Sequence, residues 1–230
     1  MTKYGIVSDL HLEFYSNHVF NMLLDKINSC DADVILLAGD IHSGMTSYDL
    51  FLSKIEKPYH HVFGNHDFYQ NRLLTNDFFD KDGVVGACLW TNFGNDDLTR
   101  MMAQKHINDF RLIKSAIVNG AKMTPEEMSF MYDGQKQRIF ASDSEIVLTH
   151  FPPSLQTIAP QFNGDPLNRY FVNDLDSEIT YSNKKLWVSG HTHSVWDFYI
   201  GNCRLVSNPL GYPREIYEIP DYYEVKVVTA

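Results

Sequence analysis

The sequence predicts an α/β fold: a four-layer α-β-β-α sandwich in which two mixed β-sheets pack face to face and helices cover both outer faces. Three observations point there. Strand-length apolar runs alternate with helical periodicity in the first third of the chain, the signature of parallel strands joined by crossover helices. Strand-like runs return in the last third. Between them lies sequence richer in helix formers, so strands from both ends supply the sheets and helices cover them.

Taken in order, Tyr4 to Val7 is the first apolar run, and Phe20, Leu23, Leu24 and Ile27 recur at helical spacing after it. Val34 to Ala38 and Tyr59 to Phe63 are the next strands. A helix is expected from Phe68 to Phe79 and a strand from Val84 to Trp90. A more helical insert then runs over about residues 95–141, and Thr124-Pro125-Glu126-Glu127 within it is a good helix start with Pro in the first turn. Ile146 to Thr149 and Leu186 to Ser189 are strands again, and Gly201-Asn202 joins Trp196 to Ile200 and Arg204 to Ser207 as a hairpin. Tyr223 to Val228 closes the chain as a strand.

A chain of 230 residues, 44% hydrophobic and 13% aromatic, is an ordinary folded protein. We expect one domain over residues 1–230, because no Pro/Gly/Ser-rich linker, low-complexity tract or fixed-period repeat divides it. Nothing resembles a transmembrane span, and Met1-Thr2-Lys3 leads straight into a strand without a secretory signal, so a cytoplasmic location is expected. Cys30, Cys88 and Cys203 are odd in number and lack Cys-x-x-Cys spacing, which favours buried thiols over disulfides or structural zinc.

Each of five strands is followed by residues that ligate hard cations: Asp9-Leu10-His11, Gly39-Asp40, Gly64-Asn65-His66-Asp67, His150, and Gly190-His191-Thr192-His193. Singly these are weak signals, since a Gly-Asp pair is ordinarily a turn and a lone His after a strand is ordinarily structural. Together they point to a metal centre. Period-2 spacing would put Asp9 and His11 on the same side of an extended segment. Asp40 stands at the top of a buried strand, where one carboxylate can bridge two ions. Asn65 offers a carbonyl oxygen without adding charge, or serves as a positive-φ turn residue. His191 and His193 occupy alternate positions, as Asp9 and His11 do. Mixed N/O donors suit two divalent ions drawn from Mn, Fe, Zn or Ni, and do not suit thiolate chemistry. His66 is left outside the donor set to supply a proton or hydrogen bond, while Asp67 either orients its ring or caps a helix beginning at Phe68.

These ordered motifs resemble those of the calcineurin-like metallophosphoesterases, in particular their small microbial and phage-type members, and the resemblance spans most of the chain. It implies one metal held by Asp9, His11, Asp40 and His193 and a second held by Asp40, Asn65, His150 and His191. A hydroxide bridging the ions would be the nucleophile, with His66 protonating the leaving group or holding the phosphate. The family fold, a pair of mixed sheets between helices, agrees with the pattern reading. There is one departure: many members carry an acidic residue where this chain has Ser43. His42 before it backs a metal ligand, faces substrate or is simply a loop residue. Asn108-Asp109-Phe110-Arg111 and Asn208-Pro209-Leu210-Gly211-Tyr212 also resemble segments of small members. Arg111 is either a bidentate phosphate clamp or a solvated helix arginine. His18, His60, His61 and His106 match no motif and are expected to be structural or surface residues.

The function expected is two-metal hydrolysis of a phosphomonoester or phosphodiester, with Asn65, His66 and Arg111 as candidate substrate contacts and a small phosphorylated molecule, nucleotides included, as substrate. A nucleotide pyrophosphohydrolase or a nuclease would use the same site. A protein of another class, an inactive metal-binding scaffold for a protein partner, would have lost some of these residues, and none is lost. Gly-x-x-x-x-Gly-Lys and His-Glu-x-x-His are absent. A net charge of −10 disfavours broad nucleic-acid binding, yet two divalent ions would leave a locally cationic pocket beside Asp9 and Asp40. No membrane partner is expected. The insert should decide among substrates, since a close wall admits small esters and an open groove lined with Lys, Arg and aromatic residues admits nucleic acid.

Overall fold

The computed structural model describes residues 1–230 apart from 71, 73, 75, 76 and 216–222. Along the chain β1 (Lys3–Val7) leads through α1 (Asn17–Ser29) to β2 (Val34–Ala38), and α2 (Met45–Ser53) leads to β3 (Tyr59–Val62). β4 (Phe78–Lys81) and β5 (Val84–Ala87) follow, then α3 (Asp97–His106), α4 (Asp109–Leu112) and α5 (Pro125–Ala141). The last third holds β6 (Ile146–Thr149), α6 (Asn168–Phe171), α7 (Asp176–Thr180), β7 (Leu186–Val188), β8 (Trp196–Ile200), β9 (Cys203–Ser207) and β10 (Lys226–Thr229).

The strands form two mixed sheets. One has the order β10-β1-β2-β3, with β1, β2 and β3 parallel and β10 antiparallel at the edge. The other has the order β4-β5-β6-β7-β9-β8, with a parallel centre and antiparallel strands β4 and β8 at its edges. Side-chain alternation along the strands builds the layers. Leu36 and Ala38 of β2 join Leu148, Val188 and Val206 between the sheets. Ile35 and Leu37 turn the other way, onto Leu23, Leu24 and Ile27 of α1 and Phe51 of α2. On the far sheet Val85, Val147, Trp187 and Leu205 cluster with Met128 and Ile139 of α5. Each such buried aliphatic side chain contributes about 1.5–3 kcal/mol, so the inter-sheet layer fixes register at the strand ends where the site is built.

Local signals explain the helix starts. Asp96 accepts from the N–H groups of Leu98 and Thr99 to open α3, and Thr124 Oγ1 accepts from Glu127 N to open α5, whose Pro125 sits in the first turn. The hairpin of β8 and β9 turns at Gly201-Asn202 as expected. Three expectations need correction. The strand expected from Val84 to Trp90 ends at Ala87, and the closing strand is Lys226–Thr229. The described part of Phe68 to Phe79 is not an α-helix: a short 3-10 turn, His66–Phe68, comes first, β4 begins at Phe78, the described residues between them are irregular, and the rest of the expected helix lies outside the described residues. This segment crosses from one sheet to the other, and Phe68 and Leu74 are buried by packing under the second sheet rather than by a helical stripe. Among the described residues no helix is long and apolar enough to cross a membrane.

Candidate metal centre

Asp9 follows β1, Asp40 follows β2, Asn65 follows β3, His150 follows β6, and His191 and His193 follow β7. The inter-sheet packing brings these strand ends together. His11 Nε2 lies 2.9 Å from His193 Nε2 and 3.6 Å from Asp40 Oδ2, and His193 Nε2 lies 3.7 Å from Asp9 Oδ1. On the other side of Asp40, His150 Nε2 lies 3.5 Å from Asp40 Oδ2, 3.0 Å from Asn65 Oδ1 and 3.2 Å from His191 Nδ1. The donor atoms therefore fall into two sets that share the Asp40 carboxylate.

Backbone shape aims these side chains. Asp9, His11, Asp40, His191 and His193 all have positive φ, from 44° to 70°. Non-glycine residues in that region cost of order 1–3 kcal/mol each, and such strain persists only where surrounding structure over-determines it. The Asp9/His11 and His191/His193 pairs converge through left-handed turns, then, and not along an extended segment. Asp67 is part of what holds the second turn: its Oδ2 accepts from Asp40 N at 2.9 Å and Gly64 N at 2.8 Å, and its Oδ1 from Ile41 N at 3.0 Å and His42 N at 3.1 Å. Asp67 thus neither orients the His66 ring nor caps a helix. The short turn has Asn65 as its N-cap, with no side-chain cap bond. Burial raises the Asp67 pKa to about 7 even though the N–H groups of Gly64 and His42 pull it down. The motif glycines have a steric reason: a Cβ on Gly64 would collide with Asp40 Oδ1 and one on Gly190 with Asp9 Oδ2.

Hydrogen bonds fix which atoms carry lone pairs. His150 Nδ1 sits 2.8 Å from the carbonyl of Ala38, so Nδ1 holds the proton and Nε2 is an acceptor. Asn65 Nδ2 donates to Asp109 Oδ1 at 2.9 Å, so Asn65 Oδ1 is an acceptor as well. Burial lowers the His150 pKa to about 4, leaving no second proton at neutral pH to bridge these two acceptors at 3.0 Å. A cation resolves that contact. It would also neutralise Asp40, whose pKa is driven well up by burial and by the charges of Asp67 and Asp9. Asp9 Oδ2 and His191 Nε2 are buried with no hydrogen-bond partner. The donor set of Asp9, His11, Asp40, Asn65, His150, His191 and His193 fits hard or borderline divalent ions.

His66 stands beside the cluster, its ring centroid 4.7 Å from that of His11. Its Nε2 faces the Tyr212 hydroxyl at 3.0 Å, its Nδ1 is 3.9 Å from Glu13 Oε1, and burial followed by the nearby His11, His150 and His193 lowers its pKa to about 2. Four supporting residues escaped the sequence reading: Glu13, Asp109, Tyr212 and Glu215. Glu13 lies 3.9 Å from His11 Nδ1 and accepts from Ser43 N at 3.3 Å, which places a carboxylate next to the position where Ser43 departs from the motif. Asp109 accepts from Asn65, Tyr69 and Tyr170. Glu215 accepts from His193 Nδ1 at 2.6 Å and Tyr212 N at 3.0 Å, and its hydrogen bond together with Asp9 outweighs burial to raise the His193 pKa. Carboxylates behind ligand imidazoles are the usual way such rings are oriented. The quoted segments containing Asp109 and Tyr212 were the available signal. Arg111 is not brought to the site: it is exposed and donates to the Lys105 carbonyl. His42 accepts from Gly44 N and closes its own loop, and His106, expected at the surface, lines the cavity over the site.

That cavity, about 440 Å³, runs from Asp40, Asn65 and His191 outward between α3–α4 and the stretch 158–172. The profile for calcineurin-like phosphoesterases matches residues 2–195. No curated protein matches the chain. Among solved structures, a phosphopantetheinyl hydrolase from Mycobacterium tuberculosis aligns with a TM-score of 0.65 at 14% identity, covering 93% of this chain and 90% of its own, and shows the same fold. A dimetal phosphatase from Danio rerio aligns with a TM-score of 0.49 at 13% identity, covering 90% of this chain and 86% of its own. The profile match runs from ahead of β1 to just past His193 and so takes in every donor of the convergent cluster: this chain belongs to the calcineurin-like phosphoesterase family.

Proposed function

We propose that the protein is a two-metal phosphoesterase acting on small phosphomonoesters or phosphodiesters. The observation that carries this reading is the acceptor-on-acceptor contact of His150 Nε2 with Asn65 Oδ1, set in a cluster of seven donors that share Asp40, with His66 beside it and outside it. Asp9, His11, Asp40 and His193 would hold one ion and Asp40, Asn65, His150 and His191 the other; bound there, the pair supplies Lewis-acid polarisation of the phosphoryl group and an activated water.

The chain's own residues do the rest. His66 is neutral in the free protein, so one ring nitrogen can donate a hydrogen bond to a phosphoryl or leaving oxygen, and an approaching phosphate dianion raises its proton affinity. Tyr212, hydrogen-bonded to His66 Nε2 and packed 4.4 Å from the His11 ring, holds that imidazole in place. Asp67 and the turn it ties down keep Asp40 aimed between the two donor sets. A walled cavity supports a small substrate over an oligonucleotide. Free thiols at Cys30, Cys88 and Cys203 support a reducing, cytoplasmic setting.

The test is turnover of monoesters, diesters, cyclic nucleotides and nucleoside diphosphate derivatives by protein stripped of metal and reloaded with Mn, Fe, Zn or Ni. Turnover that requires metal and disappears in Asp40→Ala is expected. Stoichiometric metal without turnover of any ester would overturn the proposal.

A further inference from the structure

The cavity over the metal donors has a chemical bias that the phosphate site does not explain. Its far walls are Ile107, Ile158, Phe162, Leu167, Phe171 and Val172. These are not remote from the reacting position: the Phe171 ring centroid lies 5.5 Å from that of the donor His191. Phe162 stands at the rim with 53% of its surface exposed, more than a large aromatic side chain ordinarily leaves to solvent, while Val172 at the base is 1% exposed.

Among the described lining residues there is no Lys or Arg, and none of the positions outside the description carries one. The basic side chains that line the cavity are imidazoles: His66, His106, His191 and His193. Three carboxylates line it: Asp40 among the candidate metal donors, Glu215, which is held by His193 and Tyr212, and Asp165 on the outer wall. The neighbouring arginines stand outside the lining. Arg169 pairs with Asp174 at 3.0 Å, and Arg214 sits 5.8 Å from the centroid of the Tyr212 ring without lining the cavity. Sites that hold polyphosphates do so with Arg, Lys or backbone N–H cradles, because each added negative charge loses its water and needs a partner.

We propose that this chamber selects phosphoesters whose organic arm is uncharged and largely apolar, and rejects those carrying a further phosphate or carboxylate on that arm. The inference rests on the phosphoesterase reading for the position of the phosphoryl group, while arm selection is a property of the chamber walls. Apolar contact with Ile158, Phe162 and Phe171 replaces water along the arm, and Asp165 repels an anion placed there.

The two readings separate if binding and turnover are measured apart. Calorimetric titration of the manganese-loaded protein with methylphosphonate, phenylphosphonate and 4-carboxyphenylphosphonate reads the arm without hydrolysis. Phenylphosphonate is expected to bind at least tenfold more tightly than its carboxylated counterpart and more tightly than methylphosphonate. Ile158→Lys, which puts a cation on the wall, should shrink the first ratio to threefold or less; Phe162→Ala, at the rim, should shrink the second. Equal affinities in the unmodified protein, failure of phenylphosphonate to bind, or unchanged ratios in both variants would overturn the proposal. Hydrolysis of nitrophenyl phosphate is followed in parallel. Arm preference without hydrolysis would reject the catalytic reading and keep the chamber, and hydrolysis with flat affinities would do the reverse.

Discussion

The side-chain amide of Asn65 donates to Asp109 Oδ1 at 2.9 Å across 44 residues of sequence and to the Tyr69 hydroxyl at 3.2 Å, which turns Asn65 Oδ1 toward His150 and the donor cluster. Asp109 is itself fully buried and is held by the hydroxyls of Tyr69 at 2.6 Å and Tyr170 at 2.5 Å. The α3–α5 segment therefore reaches the candidate metal centre through a carboxylate outside the donor set.

Asp109→Ala should consequently weaken one of the two metals by about 10- to 100-fold, as loss of an outer-shell partner generally does. Titration of metal-stripped protein with Mn under competition from a chelator would show one tight and one weakened step. Two unchanged steps would mean that Asn65 keeps its orientation without Asp109.

Asp40 carries opposite consequences for binding and for stability. Shared by both donor sets, it should be needed for both ions, so Asp40→Ala loses both or most of their affinity while Asp9→Ala affects mainly one. In metal-free protein the same carboxylate is buried among Asp67 and Asp9, which together with burial raise its pKa well above the ordinary range. Metal-free Asp40→Asn, which keeps a residue tolerant of φ 52°, should then melt higher than metal-free wild type, by about 2–4 °C for each kcal/mol of repulsion removed. Calorimetry in chelator checks this, and a lower melting temperature would refute it.

The candidate donor residues stood out in sequence because each comes within a few residues of a strand end, and a buried strand announces itself by a short apolar run. The geometry behind them was not. Alternate spacing of Asp9 and His11 suggested an extended segment, whereas both residues are left-handed, a conformation imposed by the packing of neighbouring turns and invisible in residue type. Asp67 stands beside His66 in sequence but turns to the backbone of Asp40, Ile41 and His42, which only the β2–β3 pairing brings near. Asp109 stood out only as part of a segment resembling small family members, and Glu215 not at all, since their partners Asn65 and His193 are 44 and 22 residues away. Among the described residues of the helix expected over 68–79, Phe68 and Leu74 are apolar because they pack under the second sheet and not because they share a helix face.

Lys184 tests the fold apart from the site. It is 1% exposed, and its ammonium donates to the carbonyls of Ser142 and Ser144, both at 2.7 Å, just beyond the C-terminal end of α5. Burial lowers its pKa. Lys184→Met keeps the stem and leaves those carbonyls without their donor, at a cost of about 1–3 kcal/mol. Urea unfolding of the metal-free protein should show the lowered midpoint, with metal stoichiometry unchanged. An unaltered midpoint would mean that water replaces the ammonium.

His66 is separated from the ligands by leaving-group chemistry. Its ring meets that of His11 edge-on at 4.7 Å and its Nε2 meets Tyr212, so replacing it should leave the donor atoms where they are. A proton or hydrogen bond to the departing oxygen matters most when that oxygen is strongly basic; nitrophenolate departs readily without one and an alkoxide does not. His66→Asn is therefore expected to keep both metals, to lose about 10²- to 10⁴-fold in rate on alkyl or nucleoside esters, and to lose far less on nitrophenyl esters. An equal loss on both kinds of ester would assign His66 to phosphate binding in the transition state, and loss of metal would make it a ligand.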